Sequence, residues 1–393
     1  MQRKAITFLG WTRPKAGEQH PTYRPTTYRY AGNHSPATGF MAVATAHFFR
    51  PDALLVLVTP QAKTQNLPDL QRDLADHSLP PATPIDIPAG QDEAELWQIF
   101  ATIDAQVQPG DTLIFDITNG YRSLPVLALI ATSYLRAVRP DVTLEKLVYG
   151  AYDASTDGVT PVFDLTPFVQ LLDWTNATTA LLQFGRADFR SLVRQSLLAS
   201  LAEHLNTLTL SLHTSRPRQA MQAAADLPAQ LAAAQQHAAA APPFALLFNQ
   251  IAQEYAPLGL AQPNQQPYAA LQRMLRIIEW YVQKGLLVQA VTLTREWLIS
   301  LVRLHLGLPP FSDDRHQQED ILNERAAVPA LLQPHYAPIK ARWDRTRALR
   351  NDLAHSGMRP NAQAAEGAAA RVRALPAKLA ALLSTVPEGA SSC

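Results

Sequence analysis

Cysteine is almost absent from this chain: of 393 residues only Cys393, the last, carries a thiol. A disulfide framework and a cysteine-based zinc site within one chain are therefore excluded, and no histidine spacing suggests any other metal site. A charge excess is also missing, since 34 Lys and Arg face 33 Asp and Glu for a formal net charge of +1. The chain as a whole does not attract nucleic acid strongly, so any such contact must come from local basic clusters. Long apolar runs are missing too, and the opening MQRKAITFLGW passes straight into a strand pattern without the apolar core of a signal peptide. The expectation is a soluble, cytoplasmic protein with no membrane partner. What is plentiful is apolar residue content, 47%, enough for real cores in a chain long enough for two or three domains.

Near the carboxyl end, Arg350-Asn351-Asp352-Leu353-Ala354-His355 form an R-x4-H cluster at the tail of a helical run. Arginine's fixed fork suits phosphate oxygens and stays charged, while histidine titrates near neutrality and serves as base or acid. Together they can bind a phosphodiester and move its protons without a metal, which is ribonuclease chemistry. The competing reading is a solvated helix end. Residues five apart on a helix are rotated by about 140°, so Arg350 and His355 do not share a face, whereas Asn351 and His355 do. A compact site is easier to build when two chains bring their clusters together about a twofold axis. Lys340, Arg342, Arg345, Arg347 and Arg350 also crowd this helix, a candidate RNA contact or a solvated basic face.

The amino-terminal third alternates strands and helices. Ala5–Leu9 reads as a strand followed by the loop Gly10-Trp11-Thr12, and Leu54–Thr59 and Lys146–Ala151 read as further strands. Ser35-Pro36 is predicted to cap a helix running to about Phe49, and Glu93–Gln106 to form another. The stretch LIFDITNGYRSLP, Leu113–Pro125, is a strand, a polar glycine-containing turn and a helix start. This pattern predicts an α/β fold: a parallel sheet with helices on both faces and ligands beyond the strands' carboxyl ends. The loops after Leu9 and Ile117 are then the natural ligand pair. Asp116, Thr118, Asn119, Gly120, Arg122 and Ser123 would line an anion-favouring crevice with Gly10, Trp11 and Thr12. Gly120 would allow close backbone approach. The alternative is an ordinary βα loop whose Asp and Thr satisfy their own backbone.

Beyond residue 175 the texture becomes helical. Gln219–Ala241 is rich in alanine and glutamine, interrupted by Pro228 and ended by Pro242-Pro243, and the segment 176–267 reads as a helical connector. From Tyr268 the periodicity strengthens: Leu271, Met274, Ile277 and Ile278 share one face, and Leu293, Trp297 and Leu301 share another. Pro309-Pro310 forces a break, Ser312–Glu319 reads as a loop, and a last helix runs from about Pro338 to His355 with Gly357 as its stop.

Both ends resemble one known family. DITNGYRSLP is similar to the DxTHG signature of CRISPR-associated CARF proteins through Asp116, Thr118 and Arg122, with Asn119 standing where that signature has histidine and Tyr121 where phenylalanine is common. Asparagine is no base at neutral pH, so ligand cleavage resting on that histidine lacks its proton-transfer group. The likeness continues through Leu171-Leu172-Asp173-Trp174-Thr175-Asn176. Gln289–Trp297 and Arg350–His355 look like a HEPN domain. The resemblance implies a Rossmann-like CARF sensing domain over 1–175, the connector, and an all-α HEPN ribonuclease domain over 268–393. It further implies a homodimer or higher homo-oligomer with a composite site, a cyclic oligoadenylate as allosteric activator in place of any cofactor, and a single-stranded RNA substrate. Arg350, Asn351 and His355 would be catalytic, with Arg295 and Glu296 nearby. The rival expectation is a catalytically inactive, nucleotide-sensing dimeric module.

Overall fold

The computed structural model describes residues 1–11, 23–119, 124–139, 141–187, 189, 198–237, 243–312, 314–356, 358 and 363–386. The chain divides into two compact units, residues 1–172 and 173–393. The first is an α/β sheet region and the second is largely helical.

In the first unit eight strands form one sheet: β1 (Arg3–Leu9), β2 (Thr26–Tyr30), β3 (Asn33–Thr38), β4 (Ala53–Val58), β5 (Ala82–Asp86), β6 (Thr112–Asp116), β7 (Thr143–Gly150) and β8 (Val159–Asp164). Their spatial order is β3-β2-β8-β7-β6-β1-β4-β5. The five strands β5, β4, β1, β6 and β7 are parallel; β8 then runs antiparallel to β7, and the β2–β3 hairpin extends the sheet beyond it. The parallel expectation thus holds for the core of the sheet and not for its far edge.

Period-two alternation in β1 shows why two faces exist. Ala5 and Leu9 join the core beneath helices α1 (Met41–Phe49) and α3 (Leu67–Asp76), the latter following the short α2 (Pro60–Gln65). Ile6 and Phe8 join the opposite core with Ile99 and Ile103 of α4 (Glu93–Ala105), Ala131 and Leu135 of α5 (Leu124–Val138), and Val169 of α6 (Thr166–Phe184). Strands buried on both faces read as continuous apolar runs, as ALLVLV in β4 does.

The predicted helix cap at Ser35-Pro36 is a correction. Those residues lie in β3, and α1 starts only at Met41. Ala31 and Gly32 both have positive φ, 48° and 82°, and join Tyr30 to its partner Asn33 in a two-residue hairpin. Ser35 Oγ accepts from Tyr28 N at 3.0 Å rather than capping a helix, and Pro36, lacking an N–H, sits on the edge strand where none is needed.

The second unit continues with α7 (Ala199–His213), α8 (Pro217–His237), α9 (Pro243–Tyr255), α10 (Pro267–Gln283), α11 (Leu287–His305), α12 (His316–Leu322), α13 (Gln333–Ala354), α14 (Ala365–Arg373) and α15 (Leu375–Leu383). Two more expectations are corrected. Helix α8 runs through Pro228, and the polar stretch after Pro309-Pro310 contains the start of α12. Trp174 is fully buried among Phe189, Phe244 and Phe248, with ring centroids 5.5–6.4 Å away, so the segment read as a connector carries aromatic core. It is tied to the helices that follow: Tyr281 Oη donates to Leu212 O, and Lys284 Nζ pairs with Glu254 at 2.7 Å. No helix among the described residues is long and apolar enough to cross a membrane.

Candidate functional site

The candidate residues fall in two clusters, one in each unit. In the first, β1 lies between β4 and β6, so the chain winds one way through β4 and β5 and the other way through β6 and β7. The loops after β1 and β6 therefore flank the point where the winding reverses, the usual crevice for a ligand in such sheets. Their closeness is direct: a Cβ at Gly10 would fall 2.7 Å from Tyr23 Oη and 3.2 Å from Asn119 O. Asn66 Nδ2 holds Gly10 O at 2.8 Å, and Trp11 Nε1 donates to Gln65 Oε1. Gly10, Trp11 and Asn119 thus come together. Thr12, Gly120, Arg122 and Ser123 lie outside the described residues.

Asp116 and Thr118 do a different job. Asp116 is fully buried; its Oδ2 accepts from Thr7 Oγ1 at 2.6 Å, and its Oδ1 accepts from Thr118 N at 2.9 Å and Thr118 Oγ1 at 2.5 Å. Thr118 Oγ1 in turn accepts from Gly150 N at 2.8 Å. Burial pushes the Asp116 carboxyl above the usual carboxylate range, against the lowering by these hydrogen bonds. The pair ties β1, β6 and β7 at their carboxyl ends and fixes where Asn119 begins. Both side chains are engaged by groups of β1, β6 and β7.

In the second unit, α13 buries Ile339, Trp343, Thr346 and Leu349 and leaves Arg350 and His355 exposed. His355 is the carboxyl-terminal cap, its N–H donating to Asn351 O at 3.1 Å, and Arg350 Nη1 reaches Asn351 Oδ1 at 3.4 Å. Ser356, at φ 52°, turns the chain out of the helix; the expected stop, Gly357, lies outside the described residues. The Asn351 side chain is thus the neighbour of Arg350, and its carbonyl accepts from the His355 backbone. The basic cluster is partly neutralised: Lys340 pairs with Asp344 and Glu324, and Arg347 with Asp344 and Asn323. Arg342, Arg345 and Arg350 have no ion pair among the described residues.

A denser network lies on α11 and α12. Arg295 bridges Glu296 and Glu319 and stacks over Trp343, 5.3 Å from its ring centroid. Arg315 Nη2 reaches Glu296 O at 2.7 Å, Ser300 Oγ at 3.1 Å and Glu296 Oε2 at 3.4 Å. Arg303 is held by Pro309 O, Asp314 O and Gln318 Oε1 at 2.7–2.9 Å. Arg295 and Glu296 were legible as a pair, but Arg303 and Arg315 were not. The signal available was two arginines flanking a Pro-Pro break, which would have forced the polar stretch back onto α11.

Comparison with known proteins adds to this geometry. Residues 170–258 match the family model described as CRISPR-associated protein MJ1674, second domain. The chain is similar to a CRISPR-associated protein. The relative is CRISPR-associated protein MJ1674 of Methanocaldococcus jannaschii, 26% identical over 124 residues, which are 30% of this chain and 19% of that protein. The chain thus spans about a fifth of the length of the curated relative it matches. The matched segment begins at the Leu171–Asn176 stretch and includes Trp174, Phe244 and Phe248 of the aromatic core. The likeness therefore includes the region whose sequence was least distinctive.

Proposed function

We propose that this chain is a cyclic-oligoadenylate-activated, metal-independent endoribonuclease that cuts single-stranded RNA in type III CRISPR antiviral defence. The observation that carries the reading is the pairing, in one chain, of a winding-reversal point flanked by the Gly10-Trp11 and Asn119 loops with a cluster of exposed Arg350 and His355 and half-buried Asn351. Similarity to a CRISPR-associated protein supports the setting. In this reading the CARF-like unit binds the activator, with Arg122 and Ser123 joining Asn119, and the HEPN-like unit cuts RNA.

The chemistry needs no group from outside. The RNA 2′-hydroxyl attacks the adjacent phosphorus, its proton is taken by a base, and the 5′-oxygen leaves with a proton, giving a 2′,3′-cyclic phosphate. His355 moves the proton, Arg350 balances charge on the phosphoryl oxygens, and Asn351 orients them. Because Arg350 and His355 are five apart, two protomers would complete the site. An apolar face supports such a homodimer: Val126, Ile130, Tyr134 and Val138 of α5 are exposed, and Tyr134 meets Phe100 edge to face at 5.2 Å beside exposed Trp97.

One observation favours a second reading, a nucleotide-sensing dimeric module without catalysis: Arg350 contacts Asn351 and not His355. RNA cleavage by the full chain in EDTA, with cyclic oligoadenylates of different ring size, separates the two. The ribonuclease reading expects activator-dependent cutting and cyclic-phosphate ends; no cutting with any ring size leaves the module.

A further inference from the structure

The helical unit contains a cavity of about 610 Å³ that uses neither Arg350, Asn351 nor His355. Its charged lining among the described residues is Arg216, Arg218, Arg315 and Glu296, with Asn264 and Thr292 among its uncharged polar groups. Glu296 is already engaged by Arg295 and Arg315, so the wall's one carboxylate is offset before any ligand arrives. Arg216 and Arg218 are exposed at the start of α8 and have no ion pair or side-chain hydrogen bond among the described residues. The amino terminus of a 21-residue helix adds its own positive potential there.

Arg315 is the half-buried part of this wall. Its Nε is buried and has no hydrogen-bond partner among the described residues, although Nη2 is well held. Burial, together with Arg303 and Arg295, pulls its guanidinium below the ordinary arginine range. A partly desolvated cation gains more from an incoming anion than a fully exposed one does.

We propose that this cavity is a phosphate site, taking the phosphate of a nucleotide ligand between Arg216 and Arg218 at its mouth and Arg315 in its wall. The site is separate from the cutting residues and goes beyond the ribonuclease reading. Its cationic groups come from α8 and from the segment between α11 and α12, so a phosphate would join two parts of the helical unit.

The test uses the full chain without activator and a labelled single-stranded 2′-O-methyl oligoribonucleotide, which cannot be cut, so its outcome does not depend on nuclease activity. Wild type is compared with Arg216→Gln/Arg218→Gln, both exposed and unpaired, and with Arg218→Glu as a second variant. Melting curves confirm that each variant folds. The expected result is binding roughly 10- to 100-fold weaker in the double variant. The slope of log affinity against log salt should fall by roughly 1.4, for two lost strand phosphates. ATP and pyrophosphate form a second arm: loss of their binding in the same variants identifies a free-nucleotide pocket, and loss for the strand alone identifies an RNA path. Wild-type affinity and salt slope in both folded variants, or no binding of any of the three probes to wild type, would overturn the proposal.

Discussion

Thr118→Val isolates the brace beneath the ligand loops, because valine keeps the shape of threonine and removes only its hydroxyl. That hydroxyl donates to the buried Asp116 carboxylate and accepts from the buried Gly150 N–H. Losing a hydrogen bond to a charged group costs about 1.5–3 kcal/mol, and an unpaired buried donor costs about 1–3 kcal/mol. Partial relaxation makes these non-additive, so the expected destabilisation is about 2–4 kcal/mol. Relaxation is restricted because Gly150 is tightly enclosed: a Cβ there would lie 3.0 Å from both Met41 Sδ and Tyr28 Cε1. For a unit of this size the melting temperature should fall by roughly 5–15 °C. Thr118→Ser should restore most of it. The pH dependence has a definite sign. The Asp116 carboxyl is raised in the folded state, so its contribution is fully present below the unfolded value, about 4, and is lost as pH rises through the folded value. Removing another donor raises it further, so the variant's deficit should be larger at neutral pH than in acid. Urea unfolding of the amino-terminal transition at both pH values measures this; a change below about 0.5 kcal/mol at neutral pH would refute the brace.

His305 stacks on His335 with ring centroids 4.3 Å apart, its buried Nε2 has no hydrogen-bond partner among the described residues, and burial with the His335 charge pushes its pKa down to about 4. Its stabilising effect is present above the unfolded value near 6.5 and lost as pH falls through about 4, so His305→Phe should flatten the acid limb by about 1–3 kcal/mol in a pH series of unfolding curves; an unchanged limb refutes it. Arg295→Ala strands Glu319, leaves Glu296 with only its longer Arg315 contact and removes the cation over Trp343; because both glutamates are partly solvated the expected loss is about 1–3 kcal/mol by chemical denaturation, where a loss under about 0.5 kcal/mol would show the network to be a solvated ion pair.

The sequence carried the architecture where one physical signal dominated. Apolar runs bounded by turn residues located β1, β4, β6 and β7, and Gly10 was legible as a loop residue because it directly follows the apolar run of β1. It misled where two signals competed at one residue. Ser35-Pro36 is a good helix start in isolation, yet the Ala31-Gly32 turn four residues earlier, weak as a motif because alanine rarely takes positive φ, sends it into an edge strand. Pro228 and Pro338 were read as boundaries, but tertiary packing carries α8 and α13 through them. At the candidate site the residue types were legible and their orientation was not. Nothing in DIT distinguishes a carboxylate facing a ligand from one facing Thr7, since the difference lies in a strand 109 residues away. Arg315 was passed over because the polar stretch around it read as a loop, whereas it folds back onto Glu296 and Ser300 of α11.

The central claim rests on His355, and one comparison tests it most directly: RNA cleavage by wild-type chain and by His355→Ala, in EDTA, at saturating cyclic oligoadenylate. His355 is exposed at the end of α13, so its loss should leave the fold intact, which a melting curve checks. The account predicts a fall of about 10² to 10⁴ in rate with activator binding unchanged. Cleavage by His355→Ala at the wild-type rate would contradict it.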